Sequence, residues 1–276
     1  MIRTSVVLAS MLPGLLVAPA FGQWVEFADE TGSRIDATQD PNSGPSVIVS
    51  NPDEKDYAWG DVDQDGDIDL VGVYKQIGTT TGKRRNVLLM NEGIADGHAF
   101  NGVLVDRTTQ YATASSVTLP PELGGGISQG FLDLTNDRDV ILVDVNGDTW
   151  LDIVTATTLS GIPAGTNGGK SISHPRIYIN LQDDPPGSGI WQGFIFDDED
   201  RIPTQPTEPR FCAVAAGDVD GDSDLDLYFG DYEQGGSRPV DLDNRLFINN
   251  GFGYFSDESE ARMTYDQREV SFSMAV

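Results

Sequence analysis

The sequence predicts an all-β protein made of repeated four-stranded antiparallel units. Three observations lead to this expectation: a nine-residue acidic loop that occurs three times, short apolar runs on both sides of each loop, and two further elements that recur downstream of it. The 31 glycines and 15 prolines among 276 residues also favour many turns over long helices. Internal repetition is therefore the first property of this chain to explain.

The acidic loops span residues 61–69, 144–152 and 218–226, and each places oxygen-bearing side chains at positions 1, 3, 5 and 9 of its window. Carboxylates this close together repel one another. A hard divalent cation that takes six to eight oxygen ligands, usually calcium, relieves the repulsion. The side chains are Asp61, Asp63, Asp65 and Asp69 in the first loop, Asp144, Asn146, Asp148 and Asp152 in the second, and Asp218, Asp220, Asp222 and Asp226 in the third.

Short apolar runs flank each loop, and their length and β-branched content are typical of strands. Each loop is therefore expected to join two strands. The preceding runs are 57–60, 140–143 and 212–217, and the following runs are 70–74, 153–156 and 227–229.

Two more elements complete the repeat. One is a strand that ends in asparagine, at 87–91, 177–180 and 246–249, and the other has a central aspartate, at 27–31, 104–108, 195–199 and 255–259. One unit thus runs strand, acidic loop, strand, turn, strand, turn, strand, which describes a four-stranded antiparallel meander.

Four-stranded units in series are how β-propeller blades are built, and a lone blade cannot bury its two faces. The sequence therefore predicts a partial β-propeller of about three blades, around residues 57–108, 140–199 and 212–259. The element at 27–31 precedes the first blade, and we expect it to complete the last blade of a closed ring. Residues 273–276 align with the strand that enters each loop, which predicts a chain truncated within a fourth unit.

The charge balance limits the function. With 44 acidic and 17 basic residues the net charge is −27, and the pI is about 4.1. Nucleic acids and anionic membrane surfaces would repel such a chain, so neither is an expected partner. The single cysteine, Cys212, excludes an intramolecular disulfide, and its apolar neighbours predict a buried structural thiol.

Residues 1–22 have the pattern of a secretory signal helix: Arg3, an apolar run, and small residues before Gln23. A retained N-terminal anchor is the alternative. The remaining domain, 23–276, contains no other apolar run long enough to span a bilayer. We therefore expect a secreted protein, extracellular or periplasmic.

The three loops, the strands that end in asparagine and the aspartate elements together resemble FG-GAP repeats, also called VCBS-type repeats, of the kind found in the integrin α-subunit propeller. The resemblance covers residues from Trp24 onward. It implies a seven-bladed propeller at full length, one structural calcium per loop, about three here, and the side-chain ligands named above. It also implies that Asp67, Trp150 and Asp224, at position 7, supply backbone carbonyls.

The second loop departs from the pattern. Asn146 removes one negative charge, and Gly147 stands at position 4 instead of position 6, so this loop is expected to bind calcium most weakly. An EF-hand is excluded, because position 12 of the three loops is Gly72, Thr155 and Phe229 where that motif needs glutamate between two helices.

No catalytic constellation is recognisable, and His98 and His174 are expected to be surface-loop residues. We therefore expect a non-catalytic, calcium-binding repeat protein that serves in adhesion or binds an extracellular protein or glycan. The alternative is the propeller part of a carbohydrate-active lyase or hydrolase. Its sugar-stacking candidates, which pack between blades under the first interpretation, are Trp191, Phe194, Tyr228, Tyr232 and Tyr254.

Overall fold

The computed structural model describes residues 28–36, 54–75, 84–93, 102–119, 125–158, 175–197, 201–203, 210–231 and 243–268. The chain divides into two compact units, Met1–Glu30 and Thr31–Val276. Residues 28–30 carry no strand. Everything else described here belongs to the second unit. The signal segment at 1–22, His98, His174, Tyr232 and residues 273–276 lie outside the described residues.

The described residues of the second unit form three sheets. The first has the order β1-β5-β4-β3-β2, the second β6-β10-β9-β8-β7 and the third β11-β12-β13-β14. The strands of the first sheet are β1 (Ile35–Asp36), β2 (Glu54–Gly60), β3 (Asp69–Lys75), β4 (Val87–Asn91) and β5 (Leu104–Asp106). The second sheet comprises β6 (Ala114–Ser115), β7 (Asp137–Val143), β8 (Asp152–Thr157), β9 (Arg176–Asn180) and β10 (Phe194–Phe196). The third comprises β11 (Phe211–Gly217), β12 (Asp226–Asp231), β13 (Arg245–Asn249) and β14 (Phe255–Asp257).

The all-β prediction is confirmed, and four consecutive strands of each sheet pair antiparallel in chain order. The helical segments are single turns, at Thr31–Arg34, Thr108–Tyr111, Ser259–Arg262 and Tyr265–Arg268, with a 3-10 turn at Gly130–Leu132. Among the described residues no helix is both long and apolar enough to cross a membrane.

Two short edge strands were not predicted. β1 pairs parallel with β5, and β6 pairs parallel with β10. β6 follows the last strand of the first sheet along the chain but joins the second sheet. The first and second sheets are therefore connected through β6 at an outer edge as well as by packing.

The aspartate element is a strand followed by a turn, not a strand throughout. β5 ends at Asp106, whose Oδ1 accepts the main-chain N–H of Thr108 at 3.0 Å and its hydroxyl at 2.7 Å. The Thr108 hydroxyl oxygen in turn accepts the N–H of Leu88 at 2.9 Å. Ser259 makes the equivalent bonds to Asp257 and Leu246. The expected strand at 27–31 is not found in its described part: residues 28–30 carry no strand, and Thr31 begins a helical turn.

The hydrophobic core lies between the sheets. One cluster joins residues of the first and second sheets around Val71, Phe131 and Tyr178, and a second joins the second and third sheets around Val154 and Phe229. All residues of β3 and β8 are buried. Continuous burial explains why these two strands lack the alternation of apolar and polar residues that a half-exposed strand shows.

Aspartates also join the first strands of neighbouring sheets. Asp56 of β2 accepts the N–H of Val140 in β7 at 3.2 Å, and Asp139 of β7 accepts the N–H of Val214 in β11 at 2.7 Å. Burial, and next a hydrogen bond with Asp56, together raise the pKa of Asp139 to about 7.

We predict that the free energy of unfolding falls as pH rises from about 4 to about 7. In that window folded Asp139 keeps its proton, whereas unfolded Asp139, with an ordinary pKa of 3.8, has lost it. One such proton contributes a slope of at most about 1.4 kcal/mol per pH unit. Asp139→Asn should lose this contribution, because its amide oxygen can still accept the Val214 N–H but does not titrate. Urea unfolding in chelator at several pH values measures both proteins, and equal slopes would contradict the prediction.

Candidate metal centres

Each acidic loop joins the first two strands of its sheet. The last paired residues before and after the loop are Gly60 and Asp69 in the first sheet, Val143 and Asp152 in the second, and Gly217 and Asp226 in the third. The ninth loop residue is thus the first residue of a buried strand, while the preceding eight turn outside the sheet. This hairpin geometry is the one expected from the sequence.

In the first and third loops the structure brings three carboxylates together. Oxygens of Asp61, Asp63 and Asp65 lie within 4.8 Å of one another, and a second such group is formed by Asp218, Asp220 and Asp222. Both groups could hold a metal ion. Oδ1 of Asp61 is buried and accepts no hydrogen bond within the described part of the chain. An all-oxygen donor set with an unsatisfied buried oxygen fits a hard divalent cation.

Electrostatics in the first loop point the same way. The pKa of Asp63 is raised to about 6, first by burial and next by the neighbouring charge of Asp65. A carboxylate that resists ionisation in this way gains most from a nearby cation, whose charge would lower the pKa again.

The second loop surrounds its position-5 carboxylate with hydrogen-bond donors. Nδ2 of Asn146 donates to Oδ2 of Asp148 at 2.9 Å, and Nε2 of Gln182 donates to the same oxygen at 2.7 Å. In the second loop the position-5 carboxylate, Asp148, therefore faces amide donors. In the first and third loops the position-5 carboxylate faces other carboxylates. Gln182 follows a strand outside the loop, so the nine-residue pattern carries no signal for it.

The aspartate at position 1 shapes each loop. Asp144 accepts N–H groups from Gly147 at 2.8 Å and Thr149 at 2.7 Å, one on each carboxylate oxygen. Asp218 does the same for Gly221 and Ser223. These bonds form tight local turns of the kind that aspartate side chains favour.

Positions 4 and 6 are left-handed in all three loops. The φ angles are 58° and 97° at Gln64 and Gly66, 75° and 75° at Gly147 and Thr149, and 84° and 80° at Gly221 and Ser223. Glycine at position 4 of the second loop is therefore suited to its place, and the unfavourable residue is Thr149. A β-branched side chain in this region is strained.

The aspartate at position 9 hydrogen-bonds to both the loop and the third strand of its sheet. Asp69, Asp152 and Asp226 are buried, and in each case Oδ2 accepts the N–H of loop position 2, at 3.0, 3.1 and 2.9 Å. Oδ1 accepts the N–H of the asparagine that ends the third strand, at 2.9, 2.8 and 2.9 Å. Burial raises the pKa of Asp69 to about 8 and that of Asp152 to about 7 despite these bonds. The position-9 carboxylates do not belong to the two three-acid groups.

The position-7 main chain faces the loop interior. The N–H groups of Asp67, Trp150 and Asp224 donate to the position-5 carboxylates at 2.8, 2.9 and 3.0 Å. The Asp67 and Asp224 side chains lie so close to Gly93 and Gly251 that a Cβ there would sit 2.5 Å from a carboxylate oxygen. Both glycines stand two residues after the strand-ending asparagine, and this close approach gives a physical reason for them.

The other candidate residues are placed mainly in the core. Trp191 and Phe194 are buried and pack edge-to-face at 5.2 Å between ring centroids, so they do not present a sugar-stacking surface. Tyr254 is 42% exposed and lies under the Arg201 guanidinium. The hydroxyl of Tyr228, a half-buried residue, donates to the carbonyl of Gln267. Cys212 is half-buried, not buried as predicted. Its partial burial raises the pKa of the thiol to about 11, which keeps the thiol protonated at neutral pH.

No protein-family model matches this chain, and no curated protein shows significant similarity to it.

We predict that Thr149→Gly stabilises the protein by about 0.5–1 kcal/mol, because glycine adopts the left-handed conformation without strain. Thr149→Ala is the control, since alanine keeps the Cβ that causes the strain. Both variants retain the main-chain N–H that bonds to Asp144. Urea unfolding measures the difference, and a glycine variant no more stable than the alanine variant would refute the strain argument.

Proposed function

We propose that this chain is a secreted calcium-binding repeat protein, in which the three sheets are consecutive blades of a β-propeller and which binds an extracellular protein or glycan without catalysing a reaction. The observation that carries the proposal is the grouping of three carboxylates in the first and third loops. Calcium is the cation of choice, because it accepts six to eight oxygens in flexible geometry, whereas magnesium demands a near-ideal octahedron.

Sheet packing supports the propeller architecture. The three sheets repeat one strand order and pack in series through two cores. Their first strands are joined by Asp56 and Asp139. In a propeller the first strand of every blade lies next to the central axis, so neighbouring first strands are expected to touch.

Calcium would serve the fold and not a reaction. A bound ion would neutralise the three-acid groups and rigidify the loops between the first and second strands. The secretory pattern at 1–22 and the net charge of −27 favour an extracellular setting, where millimolar calcium can fill sites of modest affinity. The loops then hold a scaffold whose outer surfaces are available to a partner.

We predict that calcium raises the melting temperature and that a chelator reverses the effect. A site at a calcium concentration 100 times its Kd contributes about 2.7 kcal/mol. Differential scanning calorimetry at rising CaCl2, with MgCl2 as the matched control, measures the shift. Melting temperatures that are identical in calcium and in chelator would overturn the proposed function.

We further predict that positions 3 and 9 behave differently. Asp63→Ala should reduce the calcium-induced shift while leaving the calcium-free melting temperature unchanged or slightly higher, because it removes one member of a repelling group. Asp69→Ala should lower the melting temperature with or without calcium, because two buried N–H groups lose their acceptor, at about 1–3 kcal/mol each.

Glu260→Ala, on a side chain that is 92% exposed, controls for the loss of one negative charge. Calorimetry of the three variants in calcium and in chelator separates the effects. The assignment is wrong if Asp63→Ala and Asp69→Ala destabilise the calcium-free protein equally.

A further inference from the structure

Two buried asparagines reach from one sheet into the acidic loop of the preceding sheet. Nδ2 of Asn180, at the end of β9, donates to the carbonyl oxygen of Val62 at 2.7 Å, across 118 residues of sequence. Nδ2 of Asn249, at the end of β13, donates to the carbonyl oxygen of Val145 at 2.8 Å, across 104 residues. Val62 and Val145 both occupy position 2, so the same contact occurs at both described sheet interfaces.

The residue that receives this bond is already held by its own loop. The N–H of Val62 donates to Asp69, and that of Val145 donates to Asp152. The main-chain N–H of position 2 is therefore held by an aspartate of its own sheet, and its carbonyl is held by an asparagine of the next sheet. The fixed residue lies between positions 1 and 3, whose side chains are the proposed calcium ligands.

Each asparagine also contacts the loop of its own sheet. Nδ2 of Asn180 donates to the carbonyl of Leu151 at 3.1 Å, and its main-chain N–H donates to Asp152. Asn249 makes the same pair of bonds to Leu225 and Asp226. A single side chain thus contacts two consecutive acidic loops.

The remaining amide oxygen is also used. Oδ1 of Asn180 accepts the indole N–H of Trp191 at 2.8 Å and the main-chain N–H of Gln182 at 3.0 Å. Trp191 belongs to the core between the first two sheets. The asparagine is therefore oriented by the core and is not free to turn away from the loop.

Position 2 is buried in the two loops whose position-2 carbonyl receives an asparagine from the next sheet. The Val62 and Val145 side chains are 0% and 1% exposed, within the cores shared with the following sheet. Val219 holds the same position in the third loop and is 55% exposed, and within the described ranges no asparagine reaches its carbonyl. The burial of position 2 thus accompanies the contact with the following sheet, whereas its N–H bond to position 9 is present in all three loops.

We propose that Asn180 and Asn249 couple calcium binding in one sheet to the packing of the next. Each asparagine is a positioning residue, which holds the preceding loop in its binding conformation without touching the ion. Ordering a loop before the ion arrives raises affinity, since apparent affinity scales with the fraction of competent loops. By linkage, calcium in the first loop must stabilise the contact between the first and second sheets to the same degree. This inference rests on the proposed calcium binding.

The test isolates the first loop. In a protein carrying Asp148→Ala and Asp222→Ala, which disable the second and third loops, isothermal titration with CaCl2 reports on the first loop alone. Adding Asn180→Ala should weaken calcium binding roughly tenfold, which corresponds to about 1.4 kcal/mol. The change lies in a different sheet from the loop whose affinity it alters.

Asn250→Ala in the same background is the matched control. Asn250 also follows a third strand, but it is exposed and its Oδ1 accepts only N–H groups of its own turn, from Phe252 and Tyr254. We expect the calcium Kd of the Asn250→Ala variant to stay within about twofold of that of the parent. Asn180→Asp is a second variant, because it keeps an oxygen for the Trp191 N–H and loses both amide donors. It should also bind calcium more weakly.

The outcomes are distinct. If the unsubstituted protein does not bind calcium, the proposed function fails, and the coupling fails with it. If it binds but the parent with only its first loop intact does not, the coupling at the first loop alone is overturned. If the parent binds and Asn180→Ala binds equally well, only the coupling is overturned. If Asn180→Ala does not fold, Asn180→Asp and amide hydrogen exchange decide: in the parent, calcium must slow exchange at Gln182 and Trp191 in the second sheet, and unchanged exchange there refutes the coupling.

Discussion

The structure depends on one buried interaction repeated three times: the carboxylate at position 9 of each acidic loop. It receives one N–H from the loop and another from the end of the third strand. A single side chain therefore joins the loop, the second strand that it begins and the third strand. Burying a carboxyl group is unfavourable unless its oxygens are bonded, so the two accepted N–H groups specify one register for all three segments.

The sequence was sufficient for the strands and the loops because both are local. Apolar runs of three to six residues lie between turns, and the aspartate spacing is contained in nine residues. The asparagine at the end of each third strand was also visible, but only as a turn residue. Its bond to Val62 or Val145 joins positions more than a hundred residues apart, and no periodicity within either segment encodes it.

The missed features are short or depend on context. β1 and β6 have two residues each, too few for an alternation pattern, and they pair parallel at an outer edge. The helical turn after Asp106 depends on the hydroxyl of Thr108, and the sequence pattern alone does not separate this residue from the strand before it. Gln182 could be assigned to the second loop only after the turn that follows β9 was known.

The three loops share aspartate at positions 1 and 9 but not at position 3. The difference follows from how many side-chain oxygens the main-chain N–H groups bind at each position. In the second and third loops, positions 1 and 9 use both carboxylate oxygens to accept N–H groups. An asparagine at either position would place its amide N–H group opposite one of these main-chain N–H groups, so that two donors would face each other. Position 3 gives one oxygen to the N–H of position 5, as Asn146 does at 3.1 Å, so asparagine satisfies the same bond. The acidity of these loops is therefore partly a requirement of the turn itself. The number of aspartates in a loop is therefore set by its main-chain hydrogen bonds as well as by the calcium that we propose it binds.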